Sequence, residues 1–159
     1  MPAALSPSAR KVQEALRELG FSYEVTELPQ TTRTATDAAR AVGCQVGQIV
    51  KSLVFKTESS HRPILVIASG PNRVNEEKIA EFLSEPVAMA DADFVRERTG
   101  FAIGGVPPVG HRQRLETFID EDLLEYERVW AAAGTPNAVF SLDPADLTKM
   151  SGGRVVSIT

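Results

Sequence analysis

The sequence predicts an α+β fold built on one mixed, curved β-sheet, with residues 1–159 forming a single domain. Predicted strands and helices follow one another without strict alternation, and short turns join several of the strands. This order disfavours a doubly wound parallel sheet. A length of 159 residues suits one domain, and the chain contains no repeat, low-complexity tract or linker.

The helices are predicted from apolar residues at helical spacing and from residues that begin or end helices. Ser6 and Pro7 open the first helix, because serine can cap it and proline suits its first turn. Gly20 ends that helix. Further helices are predicted at 34–42, 75–82, 91–98 and 144–150, and the residues that cap or precede them are Thr34 or Thr36, Asn75, Asp91 and Asp143.

The strands are predicted from runs of apolar and β-branched residues that turn signals interrupt. The clearest is PILVIAS, residues 63–69, which ends at the Gly-Pro-Asn turn 70–72. The predicted strands span 21–28, 50–57, 63–69, 86–89, 117–119, 129–132, 138–142 and 155–158.

Charge and composition exclude several classes of protein. The net charge is −4, which argues against a DNA partner or a protein that coats nucleic acid. A local basic patch could still hold the end of one RNA strand. No apolar run approaches the roughly 20 residues that span a bilayer, and Met1–Leu5 show no secretory signal, so we expect a cytoplasmic protein with no membrane partner. The arginines considered for the patch are Arg33, Arg40, Arg73, Arg112 and Arg114.

The cysteine and histidine content predicts no metal site. Cys44 is the single cysteine, so neither an intramolecular disulfide nor a cysteine-based zinc site can form. Cys44 has no basic neighbour in sequence and is interpreted as a structural thiol. The two histidines are His61, in a polar turn, and His111.

Lys51 is the first candidate functional residue. It lies within the apolar strand IVKSLVF and shares a strand face with Leu53 and Phe55, while Ser52 faces the other way. A lysine there must find a partner, reach solvent through a cleft, or have its pKa lowered by desolvation. Each of these suits a pocket lysine. A lysine whose ammonium extends from the strand end into water is equally compatible.

The segment 101–111, FAIGGVPPVGH, is the second candidate. Its three glycines and two prolines disfavour regular structure and favour a rigid loop that a ligand can approach closely. Such a loop could aim backbone N–H groups at a carbonyl oxygen. A structural turn is the alternative. The segment matches neither GxGxxG nor a Walker loop.

His111 and the acidic run 120–122 have two interpretations each. His111 could be a general base or a hydrogen-bonded structural residue at the end of the loop. The carboxylates could serve acid–base chemistry, but a capping and solvated role is the more usual one, with Asp120 as the best exception.

Taken together, these residues resemble the YbaK/ProX family, the free-standing relatives of the editing domain of bacterial prolyl-tRNA synthetases. The resemblance rests on four segments in this order: residues 49–55 with their lysine, the double-glycine loop 104–111, the late segment AGTPNAVFSL at 133–142, and the closing helix 144–151. It extends over nearly the whole chain.

This resemblance implies a partly barrel-like sheet surrounded by helices, and an aminoacyl-tRNA deacylase that needs no metal or organic cofactor. The implied substrates are small amino acids, alanine or cysteine, esterified to proline tRNA. The implied partner is the 3′ end of mischarged tRNA, with transient synthetase association as a further expectation. The catalytic candidates are Lys51, Gly104, Gly105 and His111, and the substrate-binding candidates are Ser52, Ser69, Val106, Pro107, Pro108, Gly110, Asp120 and Asn137.

Two departures from the family pattern bear on the substrate. Val139 is apolar where cysteine-specific relatives are expected to carry a carboxylate, and His111 stands where some members place glutamine. Both place the chain nearer the ProX-like branch. A non-catalytic aminoacyl-tRNA or synthetase adaptor, and a hydrolase of another small ester that uses His111 as base, are the alternatives.

Overall fold

One mixed β-sheet runs through the computed structural model, which describes residues 5–30, 32 and 34–159. Met1–Ala4 and Arg33, on which two of the sequence predictions drew, lie outside these residues. Described helices are α1 Pro7–Glu18, α2 Ala35–Val42, α3 Glu76–Leu83, α4 Ala92–Thr99 and α5 Asp146–Ser151, with 3₁₀ turns at Val46–Gln48 and Glu121–Glu125. Described strands are β1 Thr26–Glu27, β2 Ile49–Thr57, β3 Pro63–Ser69, β4 Val87–Met89, β5 Glu116–Asp120, β6 Val129–Ala132, β7 Ala138–Leu142 and β8 Arg154–Val156.

The sheet has the order β1-β7-β6-β2-β3-β5-β8 and is not closed into a barrel. β2 and β3 form an antiparallel hairpin at its centre, whereas β3 with β5, β5 with β8 and β2 with β6 run parallel. The mixture of directions and the helices around the sheet confirm the predicted α+β class. None of the described helices is both long and apolar enough to cross a bilayer.

The edge of β2 that faces away from β3 is shared by two short strands. β6 pairs with Ile49 and Val50 at its beginning, and β4 pairs with the residues from Phe55 to Thr57 at its end. Residues 51–53 have no ladder partner on that side within the described chain. This interruption opens a gap in the sheet, and the candidate site lies there.

The hydrophobic core occupies both faces of the sheet. Val50 and Val54 of β2 pack on one face, in the cluster that also holds Val106 of the loop. Phe55 packs on the other face with Ile79 of α3. The alternation of β2 side chains therefore directs neighbouring residues into separate parts of the core.

Most predicted helix starts are confirmed by their capping contacts. The side chains of Thr34, Asn75 and Asp91 accept hydrogen bonds from backbone N–H groups in the first turns of α2, α3 and α4. Ser6 is the N-cap residue of α1, as predicted, but its side chain makes no capping bond, and its Oγ is buried without a partner in the described chain. Pro7 does occupy the first turn of α1.

The strand predicted at 21–28 was largely wrong, since only Thr26–Glu27 pairs as a strand. The buried side chain of Gln13 on α1 forms hydrogen bonds with backbone groups of this segment that would otherwise pair with a neighbouring strand. Its Nε2 donates to the Tyr23 carbonyl at 2.9 Å, and its Oε1 accepts from the Val25 N–H at 2.8 Å. A side chain thus replaces a neighbouring strand here.

Gln13→Ala should lower the free energy of unfolding by about 2 kcal/mol, because it leaves a buried N–H and a partly buried carbonyl unpaired. Urea unfolding measures the change, and Gln113→Ala at an exposed position is the control. Equal stability of the two variants would contradict the role given to Gln13.

Candidate functional site

A cavity of about 290 Å³ lies at the gap in the sheet, and its walls are mainly apolar. Residues of β2, α2, the loop after α4, β6 and β7 contribute to these walls. The lining residues are Thr32, Thr34, Ala35, Ala38, Val42, Ile49–Val54, Met89, Ala90, Val95, Ile103, Gly104, Val106, Trp130–Ala132 and Val139.

Ser52 presents unpaired polar groups at this gap. The carbonyl of Val54 accepts from the Ala90 N–H at 3.1 Å, so the even-numbered residues of β2 direct their backbone groups towards the interrupted edge. The N–H and C=O of Ser52 point there too and have no ladder partner among the described residues. The buried Oγ of Ser52 also lacks a partner in the described chain. Buried polar groups are normally paired, so these groups are suited to a ligand.

Lys51 borders the same cavity, and its ammonium is held in place. Nζ donates to the Asn72 carbonyl at 2.8 Å. Burial lowers the pKa of Lys51, and the negative charge of Asp120 acts in the opposite direction. The side chain therefore has both a partner and a lowered pKa, as the sequence predicted for a pocket lysine.

Asp120 belongs to the support of Lys51. Its fully buried carboxylate accepts from the Ser69 N–H at 2.9 Å, from Asn72 Nδ2 at 2.8 Å and from the Asp122 N–H at 3.0 Å. Asn72 Nδ2 also donates to Asp122 at 2.7 Å. These bonds fix the turn whose carbonyl holds Lys51. The acidic run thus has the capping role that the sequence favoured, and Asp120 acts on the cavity through Asn72.

The double-glycine loop borders the cavity through Gly104 and Val106. Gly104 has a φ of +93° and faces open space. The Gly105 N–H donates to the Ala102 carbonyl, and the Gly105 carbonyl accepts from the Gly134 N–H at 2.8 Å. Gly105 is therefore a packing residue: a Cβ there would lie 2.8–2.9 Å from the backbone of Gly134 and Thr135. The prediction that its N–H faces the substrate was wrong.

The second half of the loop lies away from the cavity. Pro107 and Pro108 are buried, and Gly110 approaches α1, where an added Cβ would lie 3.2 Å from Ala15. His111 Nε2 pairs with the Pro107 carbonyl at 2.6 Å, and its ring meets Phe101 edge-on. None of these residues is in the cavity wall. Of the two interpretations of His111, these contacts favour a hydrogen-bonded structural residue at the end of the loop.

Two other candidates serve the scaffold. The buried Ser69 Oγ donates to the Gly47 carbonyl at 2.6 Å, and Asn137 bonds to the backbone of Leu28. Ser69 does not line the cavity, because β3 pairs with the edge of β2 that faces away from the gap. The predicted residues that do border the cavity are Lys51, Ser52, Gly104 and Val106.

Comparison with known proteins identifies the family. Residues 29–150 match the aminoacyl-tRNA editing domain. The chain belongs to this family. The protein YwhH of Bacillus subtilis is 29% identical over 148 residues, which cover 93% of this chain and 94% of YwhH. A protein of Enterococcus faecalis proposed as the Cys-tRNA(Pro)/Cys-tRNA(Cys) deacylase EbsC is 24% identical over 79% of this chain and 77% of its own length.

The solved structures agree with the sequence relatives. One is the crystal structure of a protein proposed as a trans-editing enzyme for prolyl tRNA synthetase, which is 51% identical to this chain and superposes with a TM-score of 0.92. The match covers 98% of this chain and 99% of the other chain. The predicted resemblance and fold are therefore confirmed, as is the predicted reaction class, hydrolysis of aminoacyl-tRNA. Aminoacyl-tRNA is the partner of this editing domain.

Several parts of the editing-domain cavity were missed by sequence reasoning. α2 was predicted as a helix but not as a wall, and Trp130 was assigned only to a strand. Met89 and Ile103 are large apolar residues that are 58% and 57% exposed, and both border the cavity. Exposed apolar residues at a rim are a sign of a binding site, but their exposure depends on the tertiary fold.

The surroundings of Cys44 do not activate its thiol. Burial raises the pKa of the Cys44 thiol, which is opposite to the activation of a nucleophile. Within residues 5–30, 32 and 34–159, no three histidine, cysteine or acidic side chains are grouped closely enough to hold a metal ion.

Gly105→Ala should destabilise the editing domain by about 3 kcal/mol, since the new methyl group meets backbone atoms that cannot rotate away. Gly104→Ala should cost only about 1–2 kcal/mol from its left-handed backbone. Urea unfolding of both variants distinguishes them. An equal or smaller loss for Gly105→Ala would show that the loop does not depend on this close approach.

His111 should make stability fall in mild acid. Burial lowers the pKa of its imidazole, and the Pro107 carbonyl opposes this shift. The folded-state pKa then lies below the unfolded value of about 6.5, so below pH 6.5 the unfolded chain binds the additional proton. The free energy of unfolding should fall with decreasing pH until the folded-state pKa is reached, by at most about 1.4 kcal/mol per pH unit.

Urea unfolding at pH 7.5 and 5.5 of the wild type and of His111→Gln measures this contribution. The glutamine amide can still donate to Pro107 but does not titrate, so the loss on acidification should be smaller in the variant. The same loss in both proteins would contradict the assignment.

Proposed function

We propose that this chain hydrolyses the ester between a small amino acid, alanine or cysteine, and mischarged proline tRNA. The single observation that carries this assignment is the cavity at the gap in β2, whose wall includes both Ser52, with its unpaired backbone groups, and Lys51, whose ammonium Asn72 holds in place. Proline tRNA is supported by the relative proposed as a trans-editing enzyme for prolyl tRNA synthetase.

The dimensions and chemistry of the cavity favour a short acyl group. Its volume of about 290 Å³ is at the lower end of small-molecule pockets, which hold about 300–1,000 Å³. Val139 contributes an apolar wall where a cysteine-specific relative is expected to carry a carboxylate. Alanine is therefore the preferred amino acid of this proposal. Size exclusion is a modest discriminator, about 10–200-fold per methylene.

In the proposed reaction, water attacks the ester carbonyl carbon. The bond to the ribose oxygen breaks, that oxygen takes a proton, and free amino acid leaves from a tRNA with a restored hydroxyl. The negative charge that develops on the carbonyl oxygen needs fixed donors. We propose the Ser52 N–H at the interrupted edge of β2 as one such donor, and the open space beside Gly104 leaves room for the ester.

Lys51 contributes an oriented positive charge. Asn72 holds Nζ, and the buried Asp120 supports the turn without pairing directly with the ammonium. A charge fixed in a poorly solvated place interacts more strongly with a phosphate, ribose or developing oxyanion than one in water. The position suits either the terminal adenosine or the ester.

The proposal places the chain in the cytoplasm, where charged tRNA is made and used. A transient complex with a synthetase and a single domain over 1–159 stay predictions. Val106 is proposed as a substrate contact through the cavity wall.

Lys51→Ala should lower deacylation of alanyl-tRNA(Pro) by about 10²–10³-fold and leave the chain folded, because it removes one preorganised charge. The wild type should release alanine faster than proline from the same tRNA. Release of labelled amino acid measures both. Lys149→Ala is the control, because Lys149 is 75% exposed and lies on α5 outside the cavity.

A pH series gives a second readout. Burial lowers the pKa of Lys51, so its charge is lost at a lower pH than that of a lysine in water, whose pKa is about 10.4. As the pH is raised, the enzymatic rate should therefore begin to fall before a pH of about 10.4 is reached, after subtraction of uncatalysed hydrolysis. Lys51→Arg should retain its charge at higher pH. Near-normal activity in a stable Lys51→Ala protein would reject this role.

A further inference from the structure

A second groove, of about 660 Å³, opens where β3, β5 and β8 begin and α4 ends. Four arginines line it: Arg62, Arg98, Arg114 and Arg154. Among the described residues in its wall, Glu116 is the one that is acidic. In a chain with a net charge of −4, this concentration of guanidinium groups makes one region locally cationic.

These arginines differ in their partners. Arg62 is paired with Glu116 at 3.0 Å and with Glu85 at 3.4 Å, so its charge is compensated within the fold. Arg98, Arg114 and Arg154 have no carboxylate within 4 Å among the described residues. Their charges remain available to a ligand.

Aromatic rings orient two of the uncompensated arginines. The guanidinium of Arg98 lies 4.9 Å from the Phe94 ring centroid, and that of Arg154 lies 4.9 Å from Phe82 and 5.3 Å from Phe118. A guanidinium stacked on a ring keeps its N–H donors at its edge. Arg114 is exposed. Preoriented forks of this kind match phosphate oxygens.

The groove lined by the four arginines is called the arginine groove, and the cavity at the gap in β2 is called the ester cavity. The two sites share elements of the fold. On α4, Val95 borders the cavity and Arg98 borders the groove, and three residues of helix span only about 5 Å. The loop after α4 likewise borders the cavity at Gly104 and the groove at Gln113. α4 and the loop that follows it therefore contribute to the walls of both sites.

We propose that the arginine groove binds the phosphate backbone of the tRNA whose aminoacyl end occupies the cavity. This inference rests on the proposed function and adds a positioning surface to it. Contacts to phosphates orient a nucleic acid without reading its sequence. Of the arginines considered from the sequence, Arg114 lies in the groove and Arg112 in the adjoining depression, whereas Arg40 and Arg73 line neither.

The test uses the double variant Arg98→Gln, Arg114→Gln, which leaves Arg154 on its aromatic platform. For alanyl-tRNA(Pro), we expect KM to rise about tenfold with kcat unchanged, since binding is lost and the reacting atoms are untouched. Log affinity falls as log salt rises, and between 50 and 200 mM salt the slope of this fall should become shallower by about 1.5, because two phosphate contacts are lost.

Two controls separate this effect from charge and from folding. Arg10→Gln, Arg17→Gln removes the same charge from exposed positions on α1 and should leave KM and the salt slope near the wild-type values. Arg98→Lys, Arg114→Lys should restore part of the affinity. Thermal unfolding of each variant confirms that it is folded. If the groove double variant binds alanyl-tRNA(Pro) as tightly as the wild type, the proposal is overturned.

Alanyl-adenosine, which has no phosphate, distinguishes the groove from the reaction. Its hydrolysis should be unaffected by the groove variants and strongly reduced by Lys51→Ala. If the wild type hydrolyses neither substrate, the proposed function fails. Direct binding of tRNA(Pro), followed by fluorescence anisotropy across the salt range, then decides the groove: unchanged affinity in the double variant rejects it, and a weaker, less salt-dependent affinity supports it.

Discussion

The interrupted edge of β2 is the constraint on which the site depends. β6 and β4 each pair with only part of this strand, so the backbone between them turns its polar groups to a cavity instead of a neighbouring strand. Unpaired backbone groups inside a protein are costly. Here that cost provides donors and acceptors that are fixed before a ligand arrives, because β3 holds the other edge of β2 along nearly its full length.

Near this edge, one polar side chain of β2 has no partner among the described residues and another is firmly bound. On one side of β2, Ser52 remains without a partner. On the other, Lys51 is tied to Asn72, whose side chain is tied to Asp120 and Asp122. A lysine that is desolvated but well anchored keeps a defined position, and that is what electrostatic stabilisation of a transient charge requires. The site therefore combines unpaired groups on Ser52 with the anchored ammonium of Lys51.

The loop 101–111 has a similar division of labour. Gly104 and Val106 face the cavity, while Gly105 presses on the Gly134 turn and His111 closes the loop on Pro107. In this loop, Gly105 and His111 thus hold Gly104 and Val106 in place at the cavity. The arginine groove continues from the end of this loop, so one segment connects the ester cavity with the surface proposed for the phosphate backbone.

The sequence by itself determined the α+β class, the helix caps at Thr34, Asn75 and Asp91, and the resemblance to editing domains, because these depend on local residue patterns and on motif order. It also singled out Lys51, since a charged residue in an apolar strand needs a special environment. Only the tertiary structure decided that the strand 21–28 is replaced by bonds to Gln13, that β2 has an unpaired edge, and that His111 and Asp120 support the site from outside the cavity. These outcomes depend on which distant segments meet, and long-range pairing leaves no signature in the local pattern.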